Sequence, residues 1–362
     1  FAPDLVVNLL PPDLALGAMN LAIKAKADYI DGTLAGVPEI PSFTSLLSDQ
    51  FTKFTEFQSI GKTAVCGAGF IPGAVSTIIR RALCCDFKKV DNIDLISVPS
   101  EKKGPKAKGR RKVEIDDTLY SEDVKPTTSG TSLSSFLDKI DSSKKVFYIK
   151  DGNVAEIDHF EVDRKSSCGN TVYLTSSPML TDLLKEMPDV ENARFFKPGK
   201  KPNVEHVPPQ DELDLLEDLG LLSAIPVKVG DVEVAPVDLL AAILPKMEDN
   251  NNPEGEEVKN VGTASFEIYI SGIGMDDKEI IKSYIIKGDN DLSYENYGVD
   301  AFEELKGTAL IAGVRMMCTD KWSKPGVFTP AAFDCDEYYE VFTSSGIAVV
   351  EGKKRPAKQT PD

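Results

Sequence analysis

The chain has 362 residues, 41 of them basic and 58 acidic, for a formal net charge of −17 and a pI near 4.7. That balance excludes a general nucleic-acid binder, because a polyphosphate needs net positive surface. With 41% hydrophobic and 27% charged residues the chain is too apolar to be disordered throughout, and at about 150 residues per domain its length predicts two or three domains.

The chain opens on Phe1 rather than Met and enters an apolar run almost at once, so it reads as a fragment. Residues 4–10 (DLVVNLL) predict a buried strand, closed by Pro11 and Pro12, which cannot continue a ladder. Leu14, Ala18, Leu21, Ala22 and Ala25 recur at helical spacing, with Lys24 and Lys26 in the last turn, where cations suit the helix dipole. Residues 28–31 (DYID) are the next strand, followed by a loop over 32–36, a helix over 42–57 and a third strand at 61–66 (GKTAVC). The string 67–73 (GAGFIPG) then turns into a helix over 74–85. Three strands alternating with helices within about 85 residues predict parallel βαβ units and one half of a doubly wound sheet.

From Lys89 the texture changes. Residues 93–98 are strand-like, and 101–112 (EKKGPKAKGRRK) read as a mobile, solvated basic loop interrupted by glycine and proline. A short helix is expected over 132–140, a hairpin over 145–157 around Asp151 and Gly152, and a strand at 172–174. An amphipathic helix over 211–222, a hairpin over 227–234 and a helix over 236–244 follow. The acidic, Asn-rich turn 248–257 precedes an alternating strand at 264–270 and its partner at 283–287, which predict an antiparallel sheet. A helix over 302–318, a Pro-rich step (PGVFTP, 325–330), a short helix and a disordered tail over 353–362 end the chain.

Six cysteines are too few for a disulfide scaffold of this length, and no Cys-x-x-Cys or Cys/His cluster has zinc spacing, so no metal site is expected. Cys66 and Cys168 have no neighbouring histidine or acid to activate them, and Cys84 and Cys85 read as packed inside a helix. No apolar run reaches the ~18 residues of a membrane span, and residues 1–10 lack the basic start of a signal peptide. The chain reads as soluble and cytoplasmic, with neither nucleic-acid nor membrane partners.

Residues 66–73 (CGAGFIPG) follow a strand and open a helix as a dinucleotide-binding turn does, but the third glycine comes one residue late, behind Pro72. The glycines either let the loop approach a ligand closely, with free helix-start amides beside it, or simply form a tight turn. Taken with DLVVNLLPP (4–12), YIDGTLAG (29–36), LTSSPML (174–180), LEDLGLLS, VAPVDLLAAILP and KPGVFTP (324–330), in that order and spacing, the chain resembles the saccharopine dehydrogenase-like (saccharopine reductase) family of NAD(P)-dependent oxidoreductases. The resemblance implies an α/β fold with an incomplete Rossmann-type parallel sheet and an inserted α+β domain whose sheet is largely antiparallel. It places the second half of the NAD(P)-binding domain at 1–88, a catalytic and dimerisation domain at 89–300, and helices returning to the first domain at 301–352. It also implies that the family's Gly-rich fingerprint lies in a stretch of about 70 residues before Phe1. Asn8, Leu9, Leu10 and Pro11 then correspond to contacts with the ribose and nicotinamide of NAD or NADP, and Gly32, Thr33, Gly69, Phe70, Pro72 and Gly73 to the floor of the active cleft. Ile71 stands where many members carry an aspartate, so the substrate need not be saccharopine.

Hydride transfer at a C–N bond needs alignment, a group to handle the amine proton, and charges to hold substrate carboxylates. Asp31 ends a strand beside the cleft loop and either orients an amine or caps the next turn, while Tyr29 reads as core. His159 is the better placed of only two histidines to act as a base, against a structural role. Arg164 and Lys165, in VDRKSSCGN (162–170), either clamp a carboxylate or sit in a solvated loop. Thr175 and Ser176 either donate to substrate or belong, with Ser177, to a helix cap before Pro178. The expectation is an enzyme passing hydride between NAD(P) and an amino-acid-derived amine or imine of the saccharopine or lysine type. A homodimer paired through the antiparallel strands is expected as well. A catalytically silent scaffold and an oxidoreductase acting on a carbonyl are the alternatives.

Overall fold

The computed structural model describes residues 2–10, 14–32, 34, 49–98, 101–103, 145–158, 161–198, 219–221, 223, 227–230, 232–236, 239, 259–352 and 355–356. In chain order it opens with β1 (Leu5–Asn8), α1 (Ala15–Ala25), β2 (Asp28–Asp31), α2 (Phe54–Ser59), β3 (Thr63–Val65) and α3 (Val75–Asp86). Then come β4 (Phe87–Val98), β5 (Glu101–Lys103), β6 (Lys145–Lys150), β7 (Asn153–Asp158), β8 (Asp163–Lys165), β9 (Thr171–Leu174), α4 (Pro178–Glu186) and β10 (Asn192–Pro198). They are followed by β11 (Val227–Val229), β12 (Val232–Val234), β13 (Lys259–Val261), β14 (Thr263–Gly274), β15 (Glu279–Asp289) and α5 (Asn290–Tyr297). Last are α6 (Ala301–Cys318), β16 (Gly326–Phe328), α7 (Cys335–Ser344), β17 (Ala348–Glu351) and β18 (Arg355–Pro356).

The short apolar runs at the start of the chain pair in parallel, in the order β1-β2-β3-β16. Strand alternation sends Tyr29, Ala64, Cys66 and Val327 to one face, where they pack on Met19 and Ala22 of α1 and Phe57 of α2. Ile30 and Val65 point the other way, into a core shared with α3 and α6. Both faces are covered, which is why these strands read as apolar without polar alternation. Helix α6 comes close because Gly313 has no side chain. A Cβ there would stand 2.9 Å from Ile30 Cδ1 and 3.0 Å from the Trp322 ring.

The second sheet has ten strands, with the main path β17-β15-β14-β4-β10-β6-β7; β18 adds to β15, β9 to β10 and β8 to β9. Only β4 and β10 run parallel among its registered pairs, as expected for a largely antiparallel sheet. Its inner face, with Ile93, Leu95, Phe195, Phe266, Ile268 and Ile270, joins the core of α3 and α6. The two helices therefore form the layer between the sheets. Phe70 meets Phe266 edge-on there, with centroids 5.5 Å apart.

Phe1–Glu101, Lys145–Gly199 and Val261–Asp362 make one compact unit, and Lys102–Lys144 with Lys200–Asn260 a second. In the second unit the hairpin β11–β12 forms as expected around Gly230. The helices expected over 132–140, most of 211–222 and 236–244, and the first part of 42–57 lie outside the described residues, as do 104–112 of the basic run.

Several expectations are corrected. Glu101–Lys103 is a strand rather than loop, and the polar string at 162–170 holds β8 and the turn into its hairpin partner β9. The Pro-rich step holds β16, the fourth strand of the parallel sheet, anchored where Thr63 Oγ1 donates to Lys324 O at 2.9 Å and accepts from Lys324 N at 2.8 Å. A three-residue strand is too short to show a period in sequence. Arg355–Pro356, inside the expected tail, pairs with Ile280 and Ile281. Cys84 and Cys85 are exposed, because they fall on the solvent side of amphipathic α3, and all six cysteines are free.

One buried acid lies between α3, α4 and the end of β16. Asp182, 1% exposed, accepts from Ser76 Oγ. Among the described residues, its Oδ1 and the Thr329 hydroxyl are both buried without a partner in hydrogen-bond geometry. Burial pushes this carboxyl up to about 6, against smaller lowering by Ser76 and Thr329. The native state therefore holds a proton over roughly pH 4–6 that the unfolded chain has released, so stability falls as pH rises through that window and is level above it. The expected loss is about 3 kcal/mol, read from urea midpoints between pH 4 and 7. Asp182→Asn should flatten this part of the profile, and an unchanged slope in that variant would refute the assignment.

Candidate active site

Because β1, β2, β3 and β16 are all parallel, their carboxyl ends lie along one edge, and in open α/β sheets that edge is where ligands bind. Asn8, Asp31, Cys66 and Thr329 are the residues at, or directly after, the four strand ends. Two of these, Asn8 and Asp31, meet through one buried network. Tyr29 Oη donates to Asp31 Oδ2 at 2.7 Å and accepts from Asn8 Nδ2 at 2.8 Å. Gln50, from the 3-10 turn Asp49–Lys53, also donates to Asp31 Oδ2. The Gly67 N–H donates to Asp31 Oδ1 at 2.9 Å, and the Ala68 N–H to the Asp31 carbonyl at 2.7 Å.

Tyr29 and Asp31 alternate on β2, so they share a face, a fact legible in the sequence; Gln50 and the Gly67 amide carried no signal. Asp31 is 1% exposed and Tyr29 fully buried. Burial first, and the Asp31 charge second, raise the Tyr29 phenol far above its ordinary value, and the same two causes raise the Cys66 thiol. Both keep their protons at neutral pH, so Cys66 is no nucleophile.

The Asn8 side chain also accepts from the Leu10 N–H at 3.0 Å, which fixes the loop after β1. Leu9 and Leu10 in that loop are 79% and 53% exposed, an apolar step beside the buried polar network. Gly32 and Gly69 bring two loops into backbone contact: a Cβ on Gly69 would stand 2.3 Å from Gly32 O. Pro72 and Gly73 are buried in the turn, where Gly73 has φ +25° and its carbonyl accepts from Thr77 Oγ1 at 2.8 Å. Phe70 is core, its ring held by Phe266 and Phe302, so only its backbone is available to a ligand. Pro11, Thr33 and His159 lie outside the described residues.

Arg164 and Lys165 are not brought to this edge. Arg164 lies over the Phe196 and Tyr269 rings on the outer face of the larger sheet, opposite the face that packs on α3 and α6. It shares Asp94 with Arg194, whose Nε and Nη2 reach the two carboxylate oxygens at 2.7 and 3.0 Å. Beside them fully buried Glu267 accepts from the Ser167 amide, from Ser167 Oγ at 2.6 Å and from Tyr269 Oη at 2.9 Å. Lys165 Nζ donates to Thr171 Oγ1 at 2.5 Å across the β8–β9 hairpin. The Thr175 amide donates to Phe195 O, Ser176 Oγ accepts from the Phe147 amide at 3.0 Å, and Ser177 caps α4. Of the cap expected over Thr175, Ser176 and Ser177, Ser177 alone caps α4, while Thr175 and Ser176 bond neighbouring strands.

The four-stranded parallel sheet with helices on both faces and its strand-end site define a Rossmann-like α/β fold. No protein-family model matches the chain. It is 23% identical over 352 residues to the carboxyaminopropylagmatine dehydrogenase of Synechocystis, spanning 96% of this chain and 79% of that protein. With the carboxynorspermidine synthase of Vibrio alginolyticus it shares 23% identity over 354 residues, 95% of this chain and 76% of that one. Among solved structures it matches the saccharopine dehydrogenase (L-Glu forming) of Saccharomyces cerevisiae with a TM-score of 0.55 at 12% identity, over 97% of this chain and 85% of that one. That likeness shows a common fold. Among the described residues no helix is long and apolar enough to cross a membrane.

Two stability measurements test the geometry. Gly69→Ala must push backbone against backbone and is expected to cost at least about 2 kcal/mol in urea unfolding, whereas Gly32→Ala, with its nearest atom at 3.7 Å, should cost under about 1 kcal/mol. Asp31→Ala strands the Gly67, Tyr29 and Gln50 donors and should cost about 3 kcal/mol or more; a loss under 1 kcal/mol would mean the network is not the anchor described.

Proposed function

We propose that the chain is an NAD(P)-dependent oxidoreductase acting on the C–N bond of an amine or imine, with nicotinamide contacts along the carboxyl edge of the parallel sheet. The observation that carries this reading is the exposed Leu9–Leu10 step standing against a buried, fully engaged polar network at the ligand-binding edge of a dehydrogenase fold. The residues fit the cofactor: the two leucines offer an apolar shelf for a flat ring, and the Gly32–Gly69 contact leaves no side chain in that gap. When bound, NAD(P) supplies the hydride acceptor or donor. Asn8 holds the Leu9–Leu10 loop through the Leu10 amide, Asp31 holds the Gly67–Ala68 loop, and Tyr29 and Cys66 retain their protons.

Both relatives carry names of carboxylated polyamines, which supports a polyamine-type substrate in place of the lysine type expected from sequence. The net charge of −17 supports the same choice, since an acidic protein concentrates polycations near its surface.

Oxidation of NADH and NADPH should be followed with imines formed from a polyamine and a carboxyl-bearing aldehyde, with lysine-derived imines and simple ketones as controls. Preferential turnover of the polyamine imine is expected. Leu9→Asp should weaken cofactor binding about tenfold or more by wetting the shelf, with the fold intact because Leu9 is exposed. Equal turnover of ketones, or no cofactor binding by calorimetric titration, would overturn the proposal.

A further inference from the structure

A pocket of about 530 Å³ opens against β16, the strand at the opposite edge of the parallel sheet from β1. At about 4.8 Å per strand, three strands set it roughly 14 Å from the Leu9–Leu10 step. Its volume is within the range of small-molecule sites. Four aromatic rings, Phe51, Phe54, Phe328 and Phe333, contribute to its walls. They are ordered against each other, Phe54 and Phe333 each meeting Phe328 edge-on with centroids 5.6 Å apart, and Trp322 stacks behind Phe333 at 5.5 Å.

The charge of the lining runs against that of the chain. Arg80, Lys185 and Lys324 face the single carboxylate of Glu186, in a protein of net charge −17. Lys185 pairs with Glu186 at 2.5 Å and lies 3.9 Å from the Phe51 ring centroid. Arg80 reaches only the Glu186 carbonyl, at 3.4 Å, and Lys324 only the face of Phe328, at 4.6 Å. Among the described residues neither has a carboxylate within ion-pair distance. The Lys324 backbone is meanwhile clamped by Thr63 at both its N–H and its carbonyl, so the ammonium is presented from a fixed point. Two cations that have no carboxylate partner among the described residues, beside ordered aromatic rings, ask for one kind of guest, a flat ring that stacks and an anion that pairs.

We propose that this pocket is a second binding site, taking a small organic anion in which a planar ring carries a carboxylate or a phosphate. The inference stands independently of the oxidoreductase reading, because no residue of the carboxyl-edge network lines the pocket.

Binding of 1-naphthoate, 1-naphthyl phosphate and neutral 1-naphthalenemethanol to the full chain should be compared by isothermal titration calorimetry. The two anions are expected to bind at least about tenfold more tightly than the alcohol, and their order distinguishes a carboxylate guest from a phosphate one. Arg80→Gln and Lys324→Gln should each weaken the anions by about fivefold or more and leave the alcohol unaffected. Circular dichroism of each variant checks the fold. Should a variant misfold, salt serves instead: rising ionic strength must weaken the anions and not the alcohol. Saturating NADH or NADPH must leave naphthoate affinity unchanged. Equal affinity for alcohol and anions, insensitivity to both substitutions, or displacement by the reduced cofactor would each overturn the proposal.

Discussion

The bond from the Gly67 amide to the Asp31 carboxylate decides where the candidate ligand contacts of the parallel sheet stand. A carboxylate buried to 1% exposure is expensive unless donors surround it, and here a backbone amide, a phenol and a side-chain amide do so. Each donor comes from a different place in the chain, so satisfying one acid fixes three segments at once. The loop after β3 is drawn against the end of β2, and Gly69 can then touch Gly32. Through Tyr29 the same network reaches Asn8, and through Asn8 it sets the loop that carries Leu9 and Leu10. Exposed apolar residues are held in place by buried polar ones.

The layer of α3 and α6 does a related job on the other side of the sheet. Ile30 and Val65 from the parallel sheet and Phe266, Ile268 and Ile270 from the larger one are parts of a single core. Gly313 permits the close approach on the β2 side, and Phe70 reaches from the turn before α3 into the aromatic cluster of the larger sheet. A turn that resembles a cofactor loop in sequence is thereby also a packing element. Its glycines serve the contact between loops, and its phenylalanine serves the core.

Carboxylates are treated differently at three places. Asp31 is surrounded by donors, and Asp94 is held by two arginines on the outer face of the larger sheet. Among the described residues Asp182 has Ser76 alone in good geometry, and it retains its proton to higher pH. Arg164, whose fork would suit a substrate carboxylate, is committed to Asp94, with its guanidinium over the Phe196 and Tyr269 rings. Among the described residues, the pocket cations Arg80 and Lys324 have no carboxylate at ion-pair distance, and no sequence pattern singled them out.

Local pattern was enough for the parallel strands β1 to β3, helices α1, α3 and α6, and the hairpins β6–β7 and β14–β15. Each depends on a short-range period or on a turn residue such as Gly152. The position of Asp31 at a strand end was legible for the same reason. What stayed hidden depends on partners distant in the chain. Strand β16 exists because Lys324 and Val327 find Thr63 and Ala64, 261 and 263 residues earlier. Gln50 joins the site because the 3-10 turn carries it to Asp31, and Arg164 leaves the site because the β8–β9 hairpin lays it on the far face of a sheet. Backbone periodicity is a property of neighbours and can be read from them; which side chains share a buried volume is settled only when remote segments compete for the same donors and the same apolar surface.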